Sequence, residues 1–542
     1  MKTNYPKRIC CILLCVAMAL ALTGCGAKKT QVPLEETPAV VSLTPEVLPA
    51  MGGELVLPIP TNAEITDPLA VNTEEMLYMF SLIYEGLVRL DASGQITACL
   101  AENWTPDESG RTWRFKLRNV RWQGSERLSS ADVVYTYERI SSLGSGSYYA
   151  YHAGNIESMH AVDENVVEIT MKQSGIPPLY SLTFPIVRSG SAGEMLPAGT
   201  GPYRIGDVQS GRVSLVANES WWKQGVYIPK VTFLERDNND TALASYAAGQ
   251  MNMVPTSSVF AGKYREDGVT TVMDVMTQAA ELLVVNNTSR FLTDANVRKA
   301  IAFAIERSSI VSNVYMNHAQ VCDVPVAPDS WLYETKSKVY DYDPANARAL
   351  LEAAGWADAG DEDGILRKDG GYERFKLTLL VCDTVDGLRK SAASLIAEQL
   401  KEVGIEVEIV AAAYTLRNDS SSDFMQKLNA GEFDLALMGL NFGRDANFSD
   451  FINVGGACNY GRVNDPALEK LVSRVNTAVS ESEYRAAASA FQTHYVEELP
   501  CIVLYFRLNS VVHASRIQGL TPAEVREPDL FRTIDKWYMN VS

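Results

Sequence analysis

Apolar residues run along this chain in three regimes. Residues 9–22 form one unbroken apolar stretch, preceded by Lys2, Lys7 and Arg8 and by no acid. Residues 26–50 are polar and punctuated by Pro33, Pro38, Pro45 and Pro49, the pattern of an extended tether. Beyond that point the apolar positions become periodic. In TWRFKLR (112–118), Trp113, Phe115 and Leu117 alternate with polar neighbours, which predicts a half-buried strand. VVEITMK (166–172) and RVSLVAN (212–218) predict two more. In LSSADVVYTYERI (128–140), Ser129 stands three residues before Asp132. That is a capping-box-like start for a helix carrying Val133, Val134, Tyr137 and Ile140.

From residue 293 the pattern is more regular. Thr293 is expected to cap a helix with Val297, Ala300, Ile301, Ala304 and Ile305 on one face. Asp343-Pro344 and Asp465-Pro466 start two others, with proline at the first helical position. The first stops at Gly355, and the second carries a stripe of Leu468, Leu471, Val472 and Val475. KSAASLIAEQLKEVG (390–404) predicts a helix stopped by glycine. It feeds IEVEIV, a strand with Ile405, Val407 and Ile409 on one side. EFDLALMGL (432–440) reads as a buried strand. This alternation predicts an α/β lobe, and about 490 residues are too many for one core, so two or more lobes are expected.

The apolar run at the N-terminus spans about 14 residues, short of the roughly 20 that a membrane-crossing helix needs. Its basic flank makes it a secretory signal, expected over residues 1–24. It ends Leu22-Thr23-Gly24-Cys25, the form of a lipobox. Small residues admit the peptidase, and only the Cys25 thiol can take a thioether-linked diacylglycerol. Two or three acyl chains, at ~0.8 kcal/mol per buried methylene, anchor a protein stably.

The formal net charge is −18, and losing Lys2, Lys7 and Arg8 with the signal makes it about −21. That balance argues against nucleic acid as a partner. Of nine cysteines, Cys10, Cys11 and Cys15 leave with the signal and Cys25 carries lipid. Cys99, Cys322, Cys382, Cys458 and Cys501 are far apart and are expected as buried small hydrophobes rather than a disulfide framework or metal site.

No zinc, P-loop or nucleophile-elbow motif occurs, and no two of the five histidines lie at i, i+3 or i+4. Gly199-Thr200-Gly201 runs into Pro202, Tyr203 and a strand pattern, whereas a phosphate loop needs free N–H groups at a helix start. Asp361-Glu362-Asp363 sits in a glycine-rich stretch and reads as solvated surface. Nothing in the pattern calls for catalysis, a metal or a cofactor.

Several blocks in order resemble a known family. These are LAENWTPDESGRTWRFKLR (100–118) with DVVYTYERI, and GTGPYRI with ANESWW (217–222). LLVVNNTSRFLTDANVRKAIAFAIERSSIV (282–311) and YDPANARALLEAAGW (342–356) follow, then NYGRVNDPALEKLV with ELPCIVLYF (498–506). Covering about 53–520, they resemble the extracytoplasmic solute-binding proteins of ABC importers, of the oligopeptide- and dipeptide-binding family, family 5.

The resemblance implies a bilobal α/β fold of the periplasmic-binding-protein type, with two hinge crossings and an inserted domain. The ligand is enclosed as the lobes close. On this basis the first lobe is expected over 51–74, 201–284 and 500–542, the inserted domain over 75–200, and the second lobe over 285–499. The tether then occupies 25–50. The implied partners are a small solute or peptide, ABC permease subunits, and the membrane through the lipid on Cys25. The chain is expected to be a monomer.

Family peptide binders pair the peptide's ammonium with an Asp shortly after a strand–Gly–aromatic turn. Here the turn reads Met438-Gly439-Leu440-Asn441-Phe442-Gly443-Arg444-Asp445. Leu440 stands at the aromatic position, the anchor position falls near Gly443, and Asp445 comes two residues late. Asn441, Phe442, Arg444 and Asp445 are therefore candidate ligand contacts. Arg444 is open to three roles: binding a carboxylate, binding a phosphate, or pairing with Asp445. Asn72 and the loop tyrosines Tyr148, Tyr149 and Tyr151 are the other candidates by resemblance; the tyrosines either stack on ligand or pack on their own lobe. Short peptides are the leading ligand class, with sugars or other polar solutes as the alternative. A sensing role beside a membrane signalling partner also remains open.

Overall fold

The computed structural model describes residues 49–540 apart from 62, 64–66, 72, 125, 266, 361, 385, 415–420 and 528. The expected signal peptide, Cys25, nearly all of the tether, and Asn72 lie outside the described residues. No described helix is long and apolar enough to cross a membrane.

Three sheets organise the chain. The first has strand order Glu54–Pro60, Lys230–Arg236, Arg212–Ala217, Tyr203–Gln209, with only the first pair parallel. Leu55, Leu57 and Ile59 alternate into its core, as a half-buried strand requires. The second sheet is antiparallel, in the order Ala101–Pro106, Thr112–Leu117, Val166–Met171, Ile156–Asp163. Trp113, Phe115 and Leu117 point inward and Arg114 and Lys116 outward, matching the sequence pattern. The helix Ser130–Leu143 packs on this sheet, and its capping box forms: Asp132 Oδ2 accepts from Ser129 N at 2.8 Å. Both sheets share one hydrophobic core.

The third sheet has seven strands. Its main order is Met253–Thr256, Cys501–Ala514, Thr270–Val285, Leu435–Asn441, Lys376–Asp383, Glu406–Ala413, and Ala319–Val321 adds to Cys501–Ala514. The strands Leu435–Asn441, Lys376–Asp383 and Glu406–Ala413 run parallel to one another. Leu377, Leu379, Leu380, Val381, Leu435, Ala436 and Leu437 are all buried, a continuous run rather than an alternation. Parallel strands covered on both faces have this signature.

Thr270–Val285 and Cys501–Ala514 are the longest strands and pass from one core to the other. Met273, Val275 and Val511 pack in the first core, whereas Leu282, Leu283, Ile502 and Phe506 pack in the second. Their antiparallel register breaks between Met276 and Ala280, where the ladder is interrupted and can bend. These are the two crossings of a bilobal α/β fold. The change of core lies inside the strands, earlier in the first and later in the second than the boundaries 284/285 and 499/500 expected from sequence. The reason is that each strand stays continuous through the crossing, so no turn or composition shift marks it.

The Asp-Pro starts work as their chemistry suggests. Asp343 Oδ1 accepts from Asn346 N at 2.9 Å, and Asp465 Oδ1 from Ala467 N at 2.8 Å and Leu468 N at 3.2 Å. Two details differ from expectation. The helix Ala295–Ala304 is capped by Asp294, not Thr293, because the Asp294 carboxylate reaches Asn296 N at 2.8 Å. Ile409 is 39% exposed because its strand is the outermost of the sheet. Of the five body cysteines four are buried, and burial pushes the Cys99, Cys322 and Cys501 thiols up to about 12.

Candidate functional site

A cavity of about 590 Å³ lies between the lobes, lined by residues of both. From the second lobe come residues 440–445 with Asn447, Asp450 and Cys458. From the other side come Tyr148, Tyr149, Tyr151, His152 and a charged wall around Glu85 and Arg89. Of the residues singled out in the sequence, Tyr149, Tyr151, Asn441, Phe442, Arg444 and Asp445 all border this one cavity.

The turn grows out of the strand Leu435–Asn441. Asn441 is the last paired residue, opposite Ala279, and Phe442 N donates to Gln278 O at 3.0 Å. The Phe442 ring is buried and packs edge-on to Phe448 and Phe451, with centroids 5.8 and 5.2 Å away. Gly439 makes room for a buried charge pair: an ideal Cβ there would lie 2.5 Å from Arg389 Nη2. That guanidinium grips Glu281 bidentately, with Nε to Oε2 at 2.8 Å and Nη2 to Oε1 at 2.9 Å.

Gly443 answers the spacing question. An ideal Cβ at Gly443 would lie 2.4 Å from Asp445 Oδ1. The Asp445 carboxylate therefore folds back over residue 443, the position where the sequence pattern expects an anchor. Its Oδ1 accepts from Asn447 N at 3.3 Å, and its backbone carbonyl accepts from the Tyr484 hydroxyl. Among the described residues no cation comes within salt-bridge distance of it. Burial pushes its pKa up.

Arg444 points elsewhere. Its Nη2 donates to Glu527 O at 3.2 Å, and Nη1 lies 3.8 Å from Asp329 Oδ1. With the Gln278 amide turned to suit its neighbours, its oxygen accepts from Arg444 Nε at 3.3 Å and Nη2 at 3.0 Å. Arg444 thus does not pair with Asp445; it ties the turn to the first lobe.

The tyrosine loop is fixed by Ser147, whose hydroxyl donates to Leu69 O at 2.6 Å and accepts from Tyr149 N at 3.1 Å. Tyr149 is buried, with Tyr148 edge-on at 5.3 Å, while Tyr151 is 61% exposed. The Tyr151 phenol is pushed up by burial and then by the charges of Asp445 and Asp450, so the loop faces the acidic turn. His152 sits beside both rings. Burial lowers its pKa to about 4, and its Nδ1 has no hydrogen-bond partner.

The charged wall was not visible in the sequence. Arg89, Lys223, Asp529 and Arg532 come from three distant segments and meet only in the fold. Glu85 accepts from Trp222 Nε1 at 2.7 Å and Trp221 Nε1 at 3.4 Å, and burial raises its pKa. The one sequence signal nearby is the Trp-Trp-Lys run at 221–223.

The lobes also touch directly. Trp331 N donates to Ser93 O at 2.9 Å and its indole to the Tyr180 hydroxyl at 3.1 Å. Ile176 N donates to Ala478 O at 2.8 Å, and Arg526 pairs with Asp329. The arrangement is closed around the cavity.

Two lobes joined by two crossing strands and closed over a lined cavity define a binding protein that encloses its ligand. The family model for bacterial extracellular solute-binding proteins, family 5 Middle, matches residues 95–460, and the chain belongs to that family, the solute-binding proteins of ABC importers. It is 25% identical over 527 residues to the oligopeptide-binding protein AppA of Bacillus subtilis, covering 91% of this chain and 92% of AppA. It is 26% identical over 357 residues to the nickel-binding periplasmic protein of Escherichia coli, covering 62% and 67%. The structure of HbpA2 from Haemophilus parasuis superposes with a TM-score of 0.78 at 20% identity, covering 90% of this chain and 100% of that one. The first two relatives are named for what they bind, oligopeptides and nickel.

Proposed function

We propose that this chain is the lipid-anchored receptor of an ABC importer, taking up short peptides through their free amino end. The observation that carries this reading is the Asp445 carboxylate, half-buried at the cavity edge with no cation among the described residues within salt-bridge distance. A carboxylate partly withdrawn from water without a counter-charge is disfavoured, and a ligand ammonium supplies the missing charge. A cavity of about 590 Å³ falls in the range of small-molecule sites, which favours peptides of a few residues. Cys25 is the lipid-bearing residue in this reading, and the chain acts as a monomer that hands its cargo to permease subunits. The two strand crossings serve as hinges between the first lobe, which carries the inserted domain, and the second. Tyr149, Tyr151, Asn441, Phe442 and Asp445 contact the ligand in this reading, and Arg444 holds the turn in place.

The test is thermal unfolding with di- to octapeptides, their N-acetylated forms, oligosaccharides and nickel chelates. Peptides with a free amine raise the midpoint and N-acetylated ones do not. A shift with a sugar and none with any peptide refutes the reading. One observation favours a second reading, a metal chelate: His152 is held neutral at the cavity with a buried, unpartnered Nδ1. A chelate-specific shift would select it.

A further inference from the structure

Residues 328–331 reach from the second lobe to the first, and their backing is fixed. Ser330 N donates to Ala327 O at 2.9 Å. The Trp331 carbonyl accepts from Arg485 Nη1 at 2.7 Å, and the Leu332 carbonyl from the buried Gln492 amide at 2.8 Å. Arg485 and Gln492 both stand on the helix Glu481–Glu498, which braces the loop on the second-lobe core.

The first lobe offers a matching edge. Asp91 Oδ1 accepts from Ser93 N at 2.8 Å and Gln95 N at 2.9 Å, shaping a tight turn. The Ser93 carbonyl of that turn accepts from Trp331 N at 2.9 Å. The Trp331 indole donates to the Tyr180 hydroxyl at 3.1 Å, which itself donates to Gly94 O at 3.0 Å. Beside them Asp329 pairs with Arg526 of the first lobe and lies 3.8 Å from Arg444 Nη1. All three side chains are largely buried, so solvent ions screen the pairing little. Tyr180, Arg444 and Arg526 border the cavity, whereas Asp329 and Trp331 stand outside its lining. Contacts made only between the lobes exist only when the lobes are together, so their free energy goes into the closing equilibrium.

We propose that Asp329 and Trp331 form a latch that holds the lobes closed over the cavity, with or without cargo, and does not touch the cargo itself. They are positioning residues, and the inference goes beyond the peptide reading and stands without it. Cargo and latch reinforce each other at two places. The Tyr180 ring borders the cavity while its hydroxyl receives the Trp331 indole, and Arg444 directly precedes Asp445 in the chain. A latch of this kind lengthens the stay of any cargo and tightens the binding of all cargo by one common factor.

The test is amide hydrogen exchange of the full chain without added cargo, in Asp329→Asn and, as a second variant, Arg526→Gln. Two N–H groups report closure: Trp331 N–H on Ser93 O, and Ile176 N–H on Ala478 O, which the latch residues do not touch. Both are expected to exchange about 10-fold faster in each variant. The double variant should be no faster than either single one, because both break the same pair. Asp329→Glu should restore most of the protection. Amides of the buried strand Lys376–Asp383 keep their rates, which a merely structural role would not allow. An unchanged rate at Ile176 N–H in both variants overturns the latch, as does a rise shared equally by the core strand. Trialanine probes the consequence: its dissociation should quicken by the same factor in Asp329→Asn, and a change in association alone overturns the latch. If trialanine does not bind, the peptide reading falls and the exchange rates still decide the latch.

Discussion

Replacing Asp445 with asparagine separates what the carboxylate does for the ligand from what it costs the fold. Asparagine keeps the acceptor that Asn447 N uses and removes only the charge. Losing one partner of a buried, hydrogen-bonded charge pair costs about 2–5 kcal/mol of binding, roughly 30-fold to several thousand-fold in Kd. In a thermal-shift assay with peptide at 100 times the original Kd, the ligand stabilises the unaltered chain by about 2.7 kcal/mol. A 30-fold or greater loss cuts that to about 0.9 kcal/mol or less. The ligand-free protein should move the other way. Asp445 has a raised pKa in the folded state, so the fold binds more protons than the unfolded chain, and stability falls as pH rises from the ordinary aspartate range through the raised value. At neutral pH, Asp445→Asn therefore leaves the ligand-free chain as stable or more so, and part of the high-pH loss disappears. A variant that keeps the full peptide-induced shift refutes the ammonium anchor.

Further outcomes can be checked in the same preparations. Gly443→Ala places a methyl 2.4 Å from Asp445 Oδ1, so titration should show weakened peptide binding with the ligand-free melting point little changed. Arg389→Met leaves Glu281 buried and unpaired and should cost about 3–5 kcal/mol in denaturant unfolding. His152, lowered to about 4, contributes stability that is present above pH 6.5 and lost as pH falls toward 4; His152→Gln should flatten acid denaturation over that window by about 3 kcal/mol. Cys25→Ala should move the chain from the membrane fraction to the soluble fraction on cell fractionation.

Local chemistry was readable in the sequence wherever it acts over a few residues. Proline after aspartate, Ser129 with Asp132, and the alternation of Trp113, Phe115 and Leu117 each specify their element by contacts close along the chain. The site was readable only in pieces. Asp445 looked two residues late because linear spacing does not reveal that glycine at 443 lets a later carboxylate fold back. Pairing of Arg444 with Asp445 was one of the roles the sequence left open, yet its acceptors, Gln278 and the Glu527 carbonyl, are brought beside it only by the tertiary fold. The wall of Arg89, Lys223 and Arg532 was invisible for the same reason, since no periodicity links residues so far apart.

The contact between residues 175–176 and 478 bears on how a closed receptor can be recognised. Ile176 N donates to Ala478 O, and a Cβ on Gly175 would lie 2.7 Å from that same oxygen. The two lobes meet there through a main-chain hydrogen bond, with the Ile176 side chain packed against the second core. Such a clasp is indifferent to which side chains the cargo carries: any solute that brings the lobes together forms it, and an empty open cleft does not. Under the proposed peptide-receptor reading, the surface at that seam would report occupancy rather than identity, and one docking partner would suffice for peptides of different sequence.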